Sequence, residues 1–271
     1  MVRILGFLLC LSCVLVPSEG ISRDVVPYAA QKYKKMLTKE SYRLFGLNPP
    51  VARFAAQITQ ESGWNPKAKS IYAAGLAQFT PDTADWISKL YKSELGLRAP
   101  YSPSWAIKAL ILYDKRLLGN FIDYKGYDPI KPCDRWALVL SAYNGGLGWT
   151  YKDRKLAKQE GKDPNKYWGN VNTVNAGRSE ASIHENRGYP KRILKRYEKV
   201  FFQAGWTMIP PVCGEKPKPK LFSKTLSSII LQSGDGYLVM VGDDLLTLKI
   251  DSSGEVVSIN TSGNLITKIR E

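Results

Sequence analysis

The sequence predicts a mainly α-helical domain followed by a small C-terminal all-β appendage, and three observations carry that prediction. From residue 25 to about 206, apolar side chains recur at the i, i+3, i+4, i+7 spacing of helices with one face on a core. At residue 215 the composition changes to Glu-Lys-Pro-Lys-Pro-Lys, which opens a stiff, solvated linker over 215–224. From 225 to 271, short Leu/Ile/Val runs alternate with Ser-Gly and Gly-Asp turns, the pattern of strands and tight connections. A chain of 271 residues is long enough for one good-sized core with such an appendage.

Residues 1–20 read as a secretory signal: Arg3, an apolar run from Ile4 to Val16, then Pro17-Ser18-Glu19-Gly20. The run is short of the roughly 20 residues of a membrane span, so membrane contact is expected only transiently, through this segment. The alternative is a weak, uncleaved anchor. Export to the periplasm or cell envelope is therefore expected, from a bacterial or a phage gene. Cys10 and Cys13 leave with the signal, and Cys133 and Cys213 remain as an even pair in an exported domain, 21–214. A disulfide between them is expected, with two buried free thiols as the alternative.

Taken in order, residues 25–46 predict a first helix, closed by Gly46 and the Asn48-Pro49-Pro50 loop. Val51, Phe54, Ala55 and Ile58 form the apolar stripe of a second, which runs to Glu61-Ser62. Thr80-Pro81-Asp82 supplies a hydroxyl cap, a first-turn proline and an acid for a helix to about Tyr91. Ser102-Pro103 repeats the device for a helix through Leu118. Asp134 is expected to cap a helix over Arg135–Tyr143, ended by Asn144-Gly145-Gly146. Residues 151–169 predict a polar surface helix and loop, and Pro190 is expected to begin a last helix to about Ala204. In the tail, Ile250–Val257 recurs as Ile259–Ile266 with a nine-residue period. So small a meander is marginal alone and is expected to dock on the helical domain or to oligomerise.

The net charge of +15 belongs to residues 21–214, which hold 31 basic and 16 acidic residues. Such a surface suits an anionic polymer, either nucleic acid or a bacterial wall. Export, and the lack of a nucleic-acid-binding motif, argue against the first. Other chemistries lack their residues. His184 is the sole histidine and reads as a surface or capping residue, and no serine sits in a nucleophile elbow. Zinc lacks ligands and no glycine loop cradles phosphate, so no cofactor is expected.

Glu61 lies at the margin of the second helix's apolar stripe and in its last turn. Partial desolvation and the negative end of the helix dipole both favour the protonated carboxyl that a general acid requires. Read alone, Glu61 would be a residue that helps to end a helix. Around it stand Glu61-Ser62, the Trp64-Asn65-Pro66 turn with Lys69-Ser70, Gly75-Leu76-Ala77-Gln78, Ala142-Tyr143-Asn144, and Glu185-Asn186-Arg187-Gly188-Tyr189-Pro190. In this order the motifs, over about residues 50–205, resemble those of the lytic transglycosylase family with a lysozyme-like, SLT-type catalytic domain. Ala77 stands where the family usually has methionine, and the segment between Ser70 and Gly75 is one residue short.

The resemblance implies a goose-type lysozyme-like fold and an enzyme that cleaves the β-1,4 bond between N-acetylmuramic acid and N-acetylglucosamine in peptidoglycan. Many glycosidases use two carboxylates, whereas enzymes that this chain resembles use one. Glu61 would protonate the glycosidic oxygen while the substrate's acetamido group helps stabilise the cation. Glu61 would then take the C6 hydroxyl proton, closing a 1,6-anhydro ring without water. Ser62, Ser70, Gln78, Tyr143, Asn144 and Glu185 are the implied substrate-binding residues. The Tyr143 hydroxyl is expected to reach Glu61 or the sugar, or else to be a core tyrosine. Gln78 and Asn144 carry amides suited to N-acetyl groups or to backbone at helix ends, and Ser62 would orient Glu61 or cap the helix. Glu185 would be a second groove carboxylate or a buried partner of Arg187 or another arginine. Trp64 and Phe79 read as core. Goose-type lysozymes, which hydrolyse, carry aspartate at the position of Thr80, and only the nearby Asp82 and Asp85 keep hydrolysis open here. A wall-binding or virion structural protein that keeps the fold is the non-enzymatic alternative.

Overall fold

The computed structural model describes residues 25–46 and 48–214, and the backbone of five segments between 231 and 268. The signal segment 1–20 and the linker 215–224 lie outside the described residues. Within 25–214 the elements are helical: α1 (Tyr28–Phe45), α2 (Val51–Ser62), α3 (Pro81–Leu90), α4 (Lys92–Leu95), α5 (Pro103–Asn120), α6 (Pro132–Gly145), α7 (Leu147–Gln159) and α8 (Glu180–Arg192). A wide π turn, Ile193–Tyr197, joins α8 to α9 (Glu198–Gln203). The starts of α3 and α5 form as their sequences require, with the Thr80 and Ser102 hydroxyls accepting from the N–H groups of Thr83 and Trp105.

Two helices sit at the centre. Residues Val51 to Ile58 of α2 are all buried, and so is nearly every residue of α6 from Trp136 to Ala142. Ala52, Ala55 and Ala56 keep α2 slim, so α1, α9 and the π turn approach it closely. The core holds two aromatic clusters. Trp64 lies 6.0 Å from Tyr33, 6.1 Å from Phe201 and 5.8 Å from Trp206, and Phe79 packs against Trp105 and Tyr113. Trp64 and Phe79 are core residues, 1% and 3% exposed. The Cys133–Cys213 disulfide ties the first turn of α6 to the segment after α9.

Three local expectations are corrected. Asp134 does not cap α6, which begins at Pro132; its carboxylate turns inward and accepts from the N–H groups of Tyr167 (2.8 Å) and Trp168 (3.1 Å). Residues 151–169 form the expected helix and loop with a solvent-facing side, but the segment is not wholly at the surface, because Asp153, Arg154 and Tyr167 are buried on its inner face. Arg154 donates to the Pro164 and Ile122 carbonyls and to Asn165 Oδ1, which satisfies its buried donors, although burial still lowers its pKa. Pro190 lies inside α8 rather than at a start, since Ser179 caps α8 eleven residues earlier. Proline removes one ladder N–H, and the π turn follows three residues later.

In the tail, the backbone forms β1 (Leu231–Ser233), β2 (Gly236–Val241), β3 (Asp244–Ile250), β4 (Val256–Thr261) and β5 (Asn264–Lys268). Neighbouring strands pair antiparallel in chain order, with Leu238 opposite Thr247 and Leu248 opposite Ile259.

Candidate active site

Glu61 occupies the last turn of α2, which ends at Gly63 in the left-handed conformation (φ 57°). One edge of Glu61 meets solvent, while its carboxyl is packed deep among protein atoms. That desolvation pushes its pKa from 4.5 up to about 8, against a hydrogen bond from Tyr189 that lowers it, and the Glu185 charge raises it slightly more. At neutral pH Glu61 therefore carries a proton. The Tyr189 hydroxyl, from α8, donates to Glu61 Oε1. Burial, and then the Glu61 charge, hold the Tyr189 pKa well above 10, so the hydroxyl stays a donor.

The loop that follows α2 is held by the motif residues themselves. Ser62 Oγ donates to the Leu76 carbonyl at 2.9 Å. The Gln78 side-chain amide donates to Gly75 O (2.8 Å) and Ala68 O (3.2 Å), and its own backbone is left-handed (φ 46°). The Tyr143 hydroxyl donates to Ala77 O at 2.8 Å rather than to Glu61. Its ring stacks on Tyr189, with centroids 6.4 Å apart and planes 7° from parallel. Three motif side chains thus spend donors on one stretch of backbone, 68–77. Gly75 is required there: at φ 79°, a Cβ would lie 1.8 Å from the Pro100 carbonyl oxygen.

Ser70 lies outside this grip, in an exposed turn where its hydroxyl accepts from the N–H groups of Tyr72 and Ala73. Asn144 Oδ1 accepts from Asn186 Nδ2, and Asn186 also bonds Ser141 at its hydroxyl and its carbonyl. Glu185 is exposed and close enough for its charge to act on Glu61. It is not the buried partner of Arg187, a role that falls to Asp153, which also pairs with Arg178. His184 is exposed on α8. Asp82 is exposed, and Asp85 forms a solvent-facing pair with Arg98 at 3.2 Å.

Sequence reasoning singled out Tyr143 as the hydroxyl near Glu61 and left Tyr189 in the background. Glu185 and Tyr189, four residues apart, share one face of α8. That spacing was the available signal, but Pro190 concealed it by suggesting a helix start.

A buried carboxyl with a raised pKa, held by one hydroxyl, has the protonation that general-acid chemistry requires. The chain belongs to the transglycosylase SLT domain family, whose model matches residues 29–166; that span includes Glu61, Gln78 and Tyr143 and ends before Glu185 and Tyr189. The membrane-bound lytic murein transglycosylase F of Shewanella pealeana is 32% identical over 123 residues, 45% of this chain and 23% of that protein. Its counterpart in Saccharophagus degradans is 36% identical over 118 residues, 43% and 21% of the two lengths. The chain thus spans less than a quarter of the length of these curated relatives. The crystal structure of the 70-kDa soluble lytic transglycosylase from Escherichia coli aligns with 63% of this chain and 24% of its own, at 26% identity and a TM-score of 0.43.

Proposed function

We propose that this chain is an exported peptidoglycan lytic transglycosylase of lysozyme-like fold, in which Glu61 is the single acid and base. The desolvated Glu61 carboxyl, held by the Tyr189 hydroxyl, is the observation that carries the reading, and the upward push that burial gives its pKa agrees with it. Glu61 gives its proton to the oxygen between N-acetylmuramic acid and N-acetylglucosamine. Tyr189 then stabilises the new carboxylate through its hydrogen bond. The anionic Glu61 accepts the C6 hydroxyl proton of the muramic residue as the 1,6-anhydro ring closes.

The names of the relatives, lytic murein transglycosylases, support the substrate class. The basic excess of residues 21–214 supports contact with a wall rich in carboxylates. In this reading Ser70, Asn144 and Glu185 are the motif residues that meet glycan, Glu185 because it is exposed with its charge felt at Glu61. Ser62, Gln78 and Tyr143 act by fixing the 68–77 loop against which it would lie. The absence of water from the reaction is favoured by Thr80, whose hydroxyl is engaged with Thr83, and by Asp85, which is paired with Arg98. The strands after residue 230 are read as a β-rich appendage behind the linker, which docks or self-associates.

The test is product analysis of digested peptidoglycan. Mass spectrometry should find muropeptides one water lighter than reducing ends, and Glu61→Gln should release none. Products of full mass would make the enzyme a hydrolase. Wall binding without release by the wild-type chain would make it a structural binder.

A further inference from the structure

Arg53, Gln57 and Glu61 lie four residues apart and share one face of α2. Glu61 reaches the surface, whereas Arg53 and Gln57 are 3% and 0% exposed. Arg53 donates to Glu198 Oε1 at 2.7 Å and stacks 4.2 Å from the Trp136 ring, so the cation of this stripe is matched by one carboxylate. A second buried carboxyl, Asp114 of α5, is 0% exposed.

Neither oxygen of Asp114 makes a full hydrogen bond, and neither does the nitrogen or the oxygen of the Gln57 carboxamide. Yet the Gln57 amide lies near enough to Asp114 to lower its proton affinity. The four orphaned atoms complement one another in one protonation state. A carboxylic acid at Asp114 donates its O–H to Gln57 Oε1 and accepts from Gln57 Nε2 on its other oxygen, and small adjustments of both side chains satisfy all four. A carboxylate would leave Gln57 Oε1 without a donor. It would also bring a second negative charge to an arginine whose charge Glu198 already offsets, with the Arg53 Nε–H left without a partner among the described residues.

We propose that Asp114 holds its proton throughout the working range of Glu61 and pairs, as a carboxylic acid, with the Gln57 carboxamide, which makes it a positioning residue for Glu61. The pair locks α2 to α5 one helical turn before Glu61. The charged and titratable groups facing Asp114 are consistent with this. Gln57, Arg53 and Glu61 act on it from α2, and its own charge is felt by Tyr143 of α6, Tyr189 of α8 and the adjacent Tyr113. Burial pushes the Asp114 pKa well above 3.8, the Gln57 amide and then the Arg53 charge oppose it, and the Glu61 charge adds a last upward push. A neutral Asp114 also means that the Glu61 carboxylate forms with no buried negative charge on its inner side.

The inference rests on Glu61 as the acid only for its kinetic consequence. The proton itself is read by infrared titration of full-length Glu61→Gln protein. A buried carboxylic-acid carbonyl band should persist above about pH 8 and vanish in Glu61→Gln/Asp114→Asn. No such band, or one that titrates near the ordinary pH of about 4, overturns the proposal. In the otherwise wild-type enzyme, Asp114→Leu should lower kcat about 10-fold or more with KM within about 2-fold, because it disturbs the acid rather than binding. Asp114→Asn preserves both hydrogen bonds and should rescue kcat to within about 3-fold with an unmoved alkaline limb. An Asn variant whose alkaline limb moves down would mean that native Asp114 is ionised, which also overturns the proposal. If the Leu variant does not fold, the Asn kinetics and the infrared band decide. An active Glu61→Gln enzyme would sink the acid assignment, and the infrared band would still report on the Asp114 proton.

Discussion

Removing the Tyr189 hydroxyl tests the active site at its closest contact. Tyr189→Phe keeps the ring that stacks on Tyr143 and deletes only the donor to Glu61 Oε1. That donor favours the carboxylate and holds the Glu61 pKa down, against desolvation that pushes it up to about 8. A hydrogen bond to a charged group contributes about 1.5–3 kcal/mol. At about 1.4 kcal/mol per pH unit, its loss should raise the Glu61 pKa by about 1–2 units. The alkaline limb of kcat/KM, measured as clearing of peptidoglycan suspensions from about pH 5 to pH 10, should therefore move upward. The plateau should fall by about 10- to 100-fold, because the same bond stabilises the carboxylate formed when the proton is delivered. An alkaline limb that stays in place or moves down would refute the assignment of Tyr189 as the group holding the Glu61 anion.

The Glu61 carboxyl also sets a pH dependence of stability. Its folded pKa lies above its unfolded value of 4.5, so its favourable contribution is present at low pH and is lost as pH rises to about 8. Glu61→Gln should therefore match the wild type in thermal melting near pH 4 and exceed it above pH 8, by roughly 2–5 kcal/mol after allowance for its solvent-facing edge; equal melting curves at both pH values would contradict the buried-acid assignment. Gly75→Ala drives a Cβ into the Pro100 carbonyl and should destabilise by about 2 kcal/mol or more, read as a lower denaturant midpoint with activity lost first. Cys133→Ser/Cys213→Ser opens an 80-residue separation and should cost about 2–5 kcal/mol, and reductant should bring the wild type close to the variant.

The sequence alone determined what depends on neighbours along the chain. The Thr80 and Ser102 caps, the Gly63 stop and the apolar stripe of α2 are set by residues within a turn or two of each other. Those rules placed Glu61 at the margin of a buried helix end before any contact was known. Tertiary structure decided whatever depends on which helices meet. Tyr189 reaches Glu61 across 128 residues of sequence. Asp134 gave up a capping role for two N–H groups more than thirty residues away, and the inner face of the polar 151–169 segment is buried where Arg154 meets the Ile122 carbonyl, 32 residues away. A polar side chain looks the same in sequence whether it faces water or a buried partner. Its partner is fixed only when packing brings two helices together, and for this chain that step put the hydroxyl beside Glu61 and the second acid behind it.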